Sequence, residues 1–129
     1  MIEVVNLKFY KPMMHDVRVY IGRQRSLWKA RHIHDLIDMS VLGNPFVMTS
    51  YTSEQRDKVV EEYRNYFEER VKSGKFRDAV VRLYRMNEAG HNIKLVCFCA
   101  PERCHGEIIK NFIDNHSTEK GEENAYPKP

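Results

Sequence analysis

With 129 residues, 42% of them hydrophobic and 30% charged, the chain has the composition of one ordinary globular domain with a core of its own. No apolar run approaches the length that spans a bilayer, and Met1-Ile2-Glu3-Val4-Val5-Asn6 lacks the basic-then-apolar layout of a signal peptide. Three cysteines crowded between Cys97 and Cys104 offer no disulfide framework, so a cytoplasmic location is expected, and a net charge of +3 is too small to mark a nucleic-acid binder by itself.

Ile2 to Val5 and Val17 to Ile21 read as short strands. In the second, Val17, Val19 and Ile21 alternate with Arg18 and Tyr20, the period of a half-buried strand. From Gln24 to Ser40 the spacing of Leu27, Trp28, Ile33, Leu36, Ile37 and Met39 predicts one or two helical turns in an extended connection. Leu42-Gly43-Asn44-Pro45-Phe46 is a breaker, because the residue before proline avoids the helical region. Thr52 and Gln55 form a capping box for a helix whose stripe is Val59, Val60, Tyr63, Phe67 and Val71, ending near Ser73-Gly74. A second stripe, Phe76, Ala79, Val80, Leu83, Tyr84 and Met86, closes at Gly90. Ile93 to Cys99 is a nearly continuous apolar run, as in a strand buried on both faces of a parallel sheet. Ile108, Ile109, Phe112 and Ile113 give a last helix its apolar face. The expected architecture is a small Rossmann-like layered α/β domain over residues 1–116, a mostly parallel sheet flanked by helices. A polar, disordered tail over 117–129 should follow it.

The residue types that carry chemistry gather between Cys97 and Gly106. There a strand passes through a Pro-containing turn into a helix N-terminus, where backbone N–H groups and the macrodipole favour a thiolate or a bound anion. In an extended run Leu95, Cys97 and Cys99 share one face. Cys97 is then most simply a small core residue, and Cys99 sits at the strand's carboxyl end. Three readings of the cluster stay open. Cys104 is a thiolate activated by the helix N-terminus, with His105 exchanging its proton near neutral pH. Alternatively Cys97 or Cys99 joins Cys104 and His105 around zinc, although Cys-x-Cys-x4-Cys-His is not a familiar zinc spacing. In the third reading the cysteines simply pack.

Two further segments carry paired readings. Gly43 and Asn44 either present N–H groups to a phosphate or base, with Phe46 as a stacking wall, or form a tight turn anchored by Phe46. Tyr20-Ile21-Gly22-Arg23 sets an arginine just past a strand end, suited either to a bidentate phosphate contact or to a surface ion pair. Between Val17 and His34 lie Arg18, Arg23, Arg25, Lys29, Arg31, His32 and His34 with no acidic residue. That stretch is either a phosphate-facing surface or a solvated loop partnered from elsewhere in the fold. Trp28 is either core or an exposed stacking platform.

Val19-Tyr20-Ile21-Gly22-Arg23, Leu42-Gly43-Asn44-Pro45-Phe46 and the Cys97–Gly106 block, in this order, resemble the family of unknown function numbered 4326. The resemblance implies a bacterial, archaeal or viral source, and host cytoplasm if viral. It adds Arg56 and Tyr63, matching an arginine and a tyrosine in the helix after the GNPF step. It also implies that Gly43, Asn44, Cys104, His105 and Gly106 face a shared pocket, and it marks Gln24–Met39 as longer than the usual link. It carries no reaction. The leading expectation is an enzyme or enzyme-like domain holding a nucleotide- or nucleoside-derived ligand. Tyr20, Gly22, Arg23, Gly43, Asn44, Phe46, Arg56, Cys99 and Gly106 would bind it, Cys104 and His105 would be catalytic, and no resident cofactor is needed. The alternatives are a nucleic-acid-binding accessory protein using Arg18–Arg31 and a zinc-stabilised interaction module.

Overall fold

Short apolar segments far apart in the chain assemble into one parallel sheet. The computed structural model describes residues 1–100 and 102–116; the tail expected over 117–129 lies outside the described residues. Strands β1 (Ile2–Asn6), β2 (Asp16–Tyr20), β3 (Ile37–Asp38) and β4 (Asn92–Cys97) lie in the order β1-β4-β2-β3, every pair parallel. β4 is inserted between β1 and β2, with Leu95 level with Val4 on one side and Val19 on the other. That position explains its apolar run, since both faces and both edges are covered. β3 was not anticipated as a strand. It pairs only Ile37 and Asp38 with Val19 and Tyr20, too short a contact to leave a periodic pattern.

Three helices cover one face: α1 (Ser53–Arg70), α2 (Gly74–Glu88) and α3 (His105–Asn115). Thr52 caps α1 by accepting the Gln55 N–H at 3.2 Å, as the Thr-x-x-Gln spacing predicts. The buried residues of α1 are Val59, Val60, Tyr63 and Phe67, and the last three pack with Ile93, Leu95 and Cys97 of β4 and Val19 of β2 in one large core. The opposite face carries a smaller core of Leu7, Tyr20, Ala30, Ile33 and Val96. It is closed by a 3-10 helix, Gln24–Ala30, and the loop after it rather than by an α-helix. A second 3-10 turn, Ser40–Leu42, leads into the Gly-Asn-Pro-Phe segment.

Three glycines act as spacers in this frame. A Cβ on Gly22 would stand 2.5 Å from the Tyr20 phenol oxygen, which folds back to donate to the Arg23 carbonyl at 2.7 Å. A Cβ on Gly43 would meet two backbone oxygens, those of Gly22 and Ser40, each at 2.9 Å. A Cβ on Gly106 would press on Val4 and Ile21 at 3.0 Å. Backbone oxygens in a packed turn have little room to retreat. Gly43→Ala should therefore lower unfolding free energy by about 1–3 kcal/mol, read as a lower urea midpoint with an unchanged slope. An unchanged midpoint would contradict the close approach.

Candidate functional site

The carboxyl ends of β2 and β4 open into a cleft of about 290 Å³. Crevices at this position are where open α/β sheets take ligands. Four chain segments line it. The stretch after β2 supplies Gly22 and Arg23, and the Gly-Asn-Pro-Phe loop supplies Asn44 and Phe46. Helix α1 supplies Arg56, and the β4–α3 connection supplies Cys97, Phe98, Cys99, Cys104 and His105. Asn44 and His105, distant in sequence, thus share one hollow.

Three of the expected binding residues do not line it. Tyr20 is fully buried beneath the sheet, where burial pushes its phenol up to about 12. Gly43 and Gly106 do their work through absent side chains, bringing a loop and a helix end against neighbouring chain. All three position the cleft from behind it. Residues that the sequence did not single out complete the wall, among them Met48 and Tyr51 from the loop and Phe98 from the end of β4. Asn6, also overlooked, anchors the β4–α3 connection by donating from Nδ2 to the Phe98 carbonyl at 3.1 Å and the Ala100 carbonyl at 2.8 Å. No motif marks it; a polar residue at the end of an apolar strand is its single trace.

Arginines dominate the charge, and among the described residues no Asp or Glu lines the cleft. Arg23 donates from Nε to the Asn44 carbonyl at 2.8 Å and from Nη2 to the Phe46 carbonyl at 2.9 Å, so part of its guanidinium holds the loop. Asn44 Oδ1 accepts the Phe46 N–H at 2.9 Å, which turns its amide nitrogen into the available donor. Arg103 is neutralised on the outer side by Asp57, Glu61 and Glu107 at 2.9–3.4 Å. None of the ion pairs among the described residues involves Arg23 or Arg56.

The thiols are arranged differently from the expected reactive Cys104. Cys104, the N-cap of α3, lies 3.6 Å from Cys97, sulfur to sulfur, with both buried. The Cys104 sulfur and the backbone N–H groups of Ala100 and Cys99 face the Cys97 sulfur and hold its thiol below the usual range. The contact with Cys97 and burial push the Cys104 thiol up instead. Cys97, which alternation alone made an inert core position, is therefore one half of a hydrogen-bonded thiol pair. Burial and the neighbouring Cys97 charge raise Cys99, against the opposing pull of Arg56.

His105 also departs from the expected neutral-pH proton exchanger. Its Nε2 donates to the Ile21 carbonyl at 2.7 Å, and its ring meets the Tyr63 ring edge-on at 5.0 Å. A carbonyl only accepts, so Nε2 carries the proton and the lone pair is on Nδ1. Burial lowers its pKa to about 4, and the ring is neutral at pH 7. Among the described residues no group of three or more His, Cys, Asp or Glu side chains is placed to hold a metal ion.

Fold and cleft define a small Rossmann-like α/β domain with an arginine- and thiol-lined crevice at the sheet's carboxyl edge. The chain belongs to the family described as Domain of unknown function (DUF4326), whose model matches residues 5–115. No curated protein and no solved structure matches it. Among the described residues, no helix is long and apolar enough to cross a membrane.

Two measurements follow from the titrating groups. The unfolded chain takes up a proton on His105 near pH 6.5, whereas the folded protein does so only near pH 4. Stability is therefore complete above the upper value and falls by about 3 kcal/mol as pH drops through this window. Urea titrations across it should show that loss, with a flatter profile in His105→Gln. For the thiols, iodoacetamide labelling of Cys97 should set in at lower pH than that of an ordinary thiol. In Cys104→Ala the midpoint should move up toward an ordinary thiol. Labelling of Cys104 ahead of Cys97 would reverse the assignment.

Proposed function

We propose that this protein is an enzyme or enzyme-like domain whose cleft holds a nucleotide- or nucleoside-derived anion between the Gly-Asn-Pro-Phe loop and the α3 N-terminus. The observation that carries this reading is a crevice lined by Arg23 and Arg56 with no carboxylate among its described walls. Its volume of about 290 Å³ lies near the lower end of small-ligand pockets, which suits a compact ligand. Arg56, in none of the ion pairs among the described residues, and the remaining Nη1 of Arg23 would grip a phosphate. The first turn of α3 would add its dipole. Asn44 Nδ2 offers a directed donor for a sugar or base. Phe46, held edge-on to Tyr66 at 5.8 Å, and Phe98 offer apolar walls for a ring.

The same arrangement supports a division of chemical roles. Cys97 and Cys104, paired by one hydrogen bond and both lining the cleft, are the thiols suited to nucleophilic or covalent work. His105 is suited to accept a hydrogen bond at Nδ1 and not to deliver a proton at neutral pH. Catalytic weight would thus fall on the pair and not on Cys104 alone.

Calorimetric titration with nucleoside mono-, di- and triphosphates tests the reading. At least one should bind the parent protein, and Arg56→Ala should weaken it by about 10-fold or more, the loss expected for a charge-assisted hydrogen bond. A folded parent that binds none of them, or an Arg56→Ala variant that binds as well as the parent, would overturn it.

A further inference from the structure

We infer that the nucleotide taken by the cleft belongs to a single strand of nucleic acid, whose flanking residues lie across the exposed face of the 3-10 helix Gln24–Ala30. The inference rests on the preceding reading of the cleft and names its substrate class. Both parts of the surface come from one element. Arg23, the N-cap of this helix, and Ser26 line the cleft, while Trp28 and Lys29 stand on its outer side.

Trp28 is the sole tryptophan of the chain and is 62% exposed, so the core does not account for it. Lys29 joins it to the cleft. The Lys29 Nζ lies 5.7 Å from the Trp28 ring and 5.8 Å from the ring of Phe98, which is itself a cleft wall. An aromatic face, a cation and an aromatic-walled hollow therefore follow one another along the surface. Single-strand binders use this alternation, stacking bases on rings while cations track the phosphates.

Charge complementarity points the same way. Arg25, Lys29 and Arg31 are exposed, and none of the ion pairs among the described residues involves them. Arg18 is a different case, because its guanidinium is spent on the carbonyls of His34 and Met13. A duplex fits poorly, because a base reaches such a hollow only when it is unpaired. A membrane or apolar protein partner would favour an uncharged apolar patch, whereas the Trp28 ring has the Lys29 ammonium against it.

Trp28 supplies its own probe. Its fluorescence should be quenched by a short single-stranded oligonucleotide, in DNA and RNA forms run as separate arms. At least one form should bind tighter than the corresponding mononucleotide. Trp28→Ala, followed by calorimetry, should weaken the oligonucleotide by about 5- to 100-fold, the range found for base stacking, and leave the mononucleotide unchanged. Neutralising Arg25, Lys29 and Arg31 together should flatten the salt dependence by a log–log slope of about 2. The inference is overturned if neither oligonucleotide binds tighter than the mononucleotide. It is equally overturned if Trp28→Ala changes nothing, or if heparin, a polyanion without bases, binds as well as the oligonucleotide. Loss of mononucleotide binding itself would be a separate result, striking the reading of the cleft.

Discussion

The cleft depends on how low the N-terminus of α3 rides over the sheet. Gly106 permits it, since its missing side chain leaves the helix in contact with Val4 and Ile21. At that height His105 reaches the Ile21 carbonyl, and Cys104 comes within hydrogen-bond range of Cys97. Raise the helix by one methyl group and both contacts stretch together. The neutral histidine and the paired thiols are thus consequences of one packing distance, and the helix dipole is aimed by the same distance at the strand ends.

The charged residues divide their labour along similar lines. Arg103 bridges α1 and α3, through Asp57 and Glu61 on one helix and Glu107 on its own, and its field is largely cancelled. Arg56 and Arg23 remain to set the potential of the hollow. Arg23 is bound to two loop carbonyls, so the group that would meet an anion also orders Asn44 and Phe46. Loop order and ligand contact are coupled through one guanidinium, which links the fold of this segment directly to the chemistry it can support.

The long periodic features were legible in the sequence. The α1 cap at Thr52, the stripes of α1 and α2, and the doubly buried β4 follow from local spacing and need no tertiary information. The grouping of the Gly-Asn-Pro-Phe and Cys-His-Gly segments came from resemblance, because no local pattern reports that two distant turns meet. Other features escaped for the same reason. β3 exists only through its pairing with β2, and Gly22 is explained by a phenol that folds back over it. Cys97 is paired with a sulfur seven residues onward that the chain returns to its side. Tyr20 read as a site residue because it borders Gly22 and Arg23, whereas its side chain points into the smaller core.

The placement of β4 has a consequence for how the molecule is assembled. β1 and β2 are made first and never pair with each other; each finds its inner neighbour only in the strand that begins at Asn92. A nascent polypeptide emerging from the ribosome must therefore carry two unzipped edges through most of its synthesis. The helical hairpin of α1 and α2 can form meanwhile from local contacts, but the sheet closes only when the late strand slides between the early ones. Such non-local closure is slow and exposes pairing groups while it waits. Lys94 and Glu3, joined across the β4–β1 seam, are among the side chains brought together at that final step.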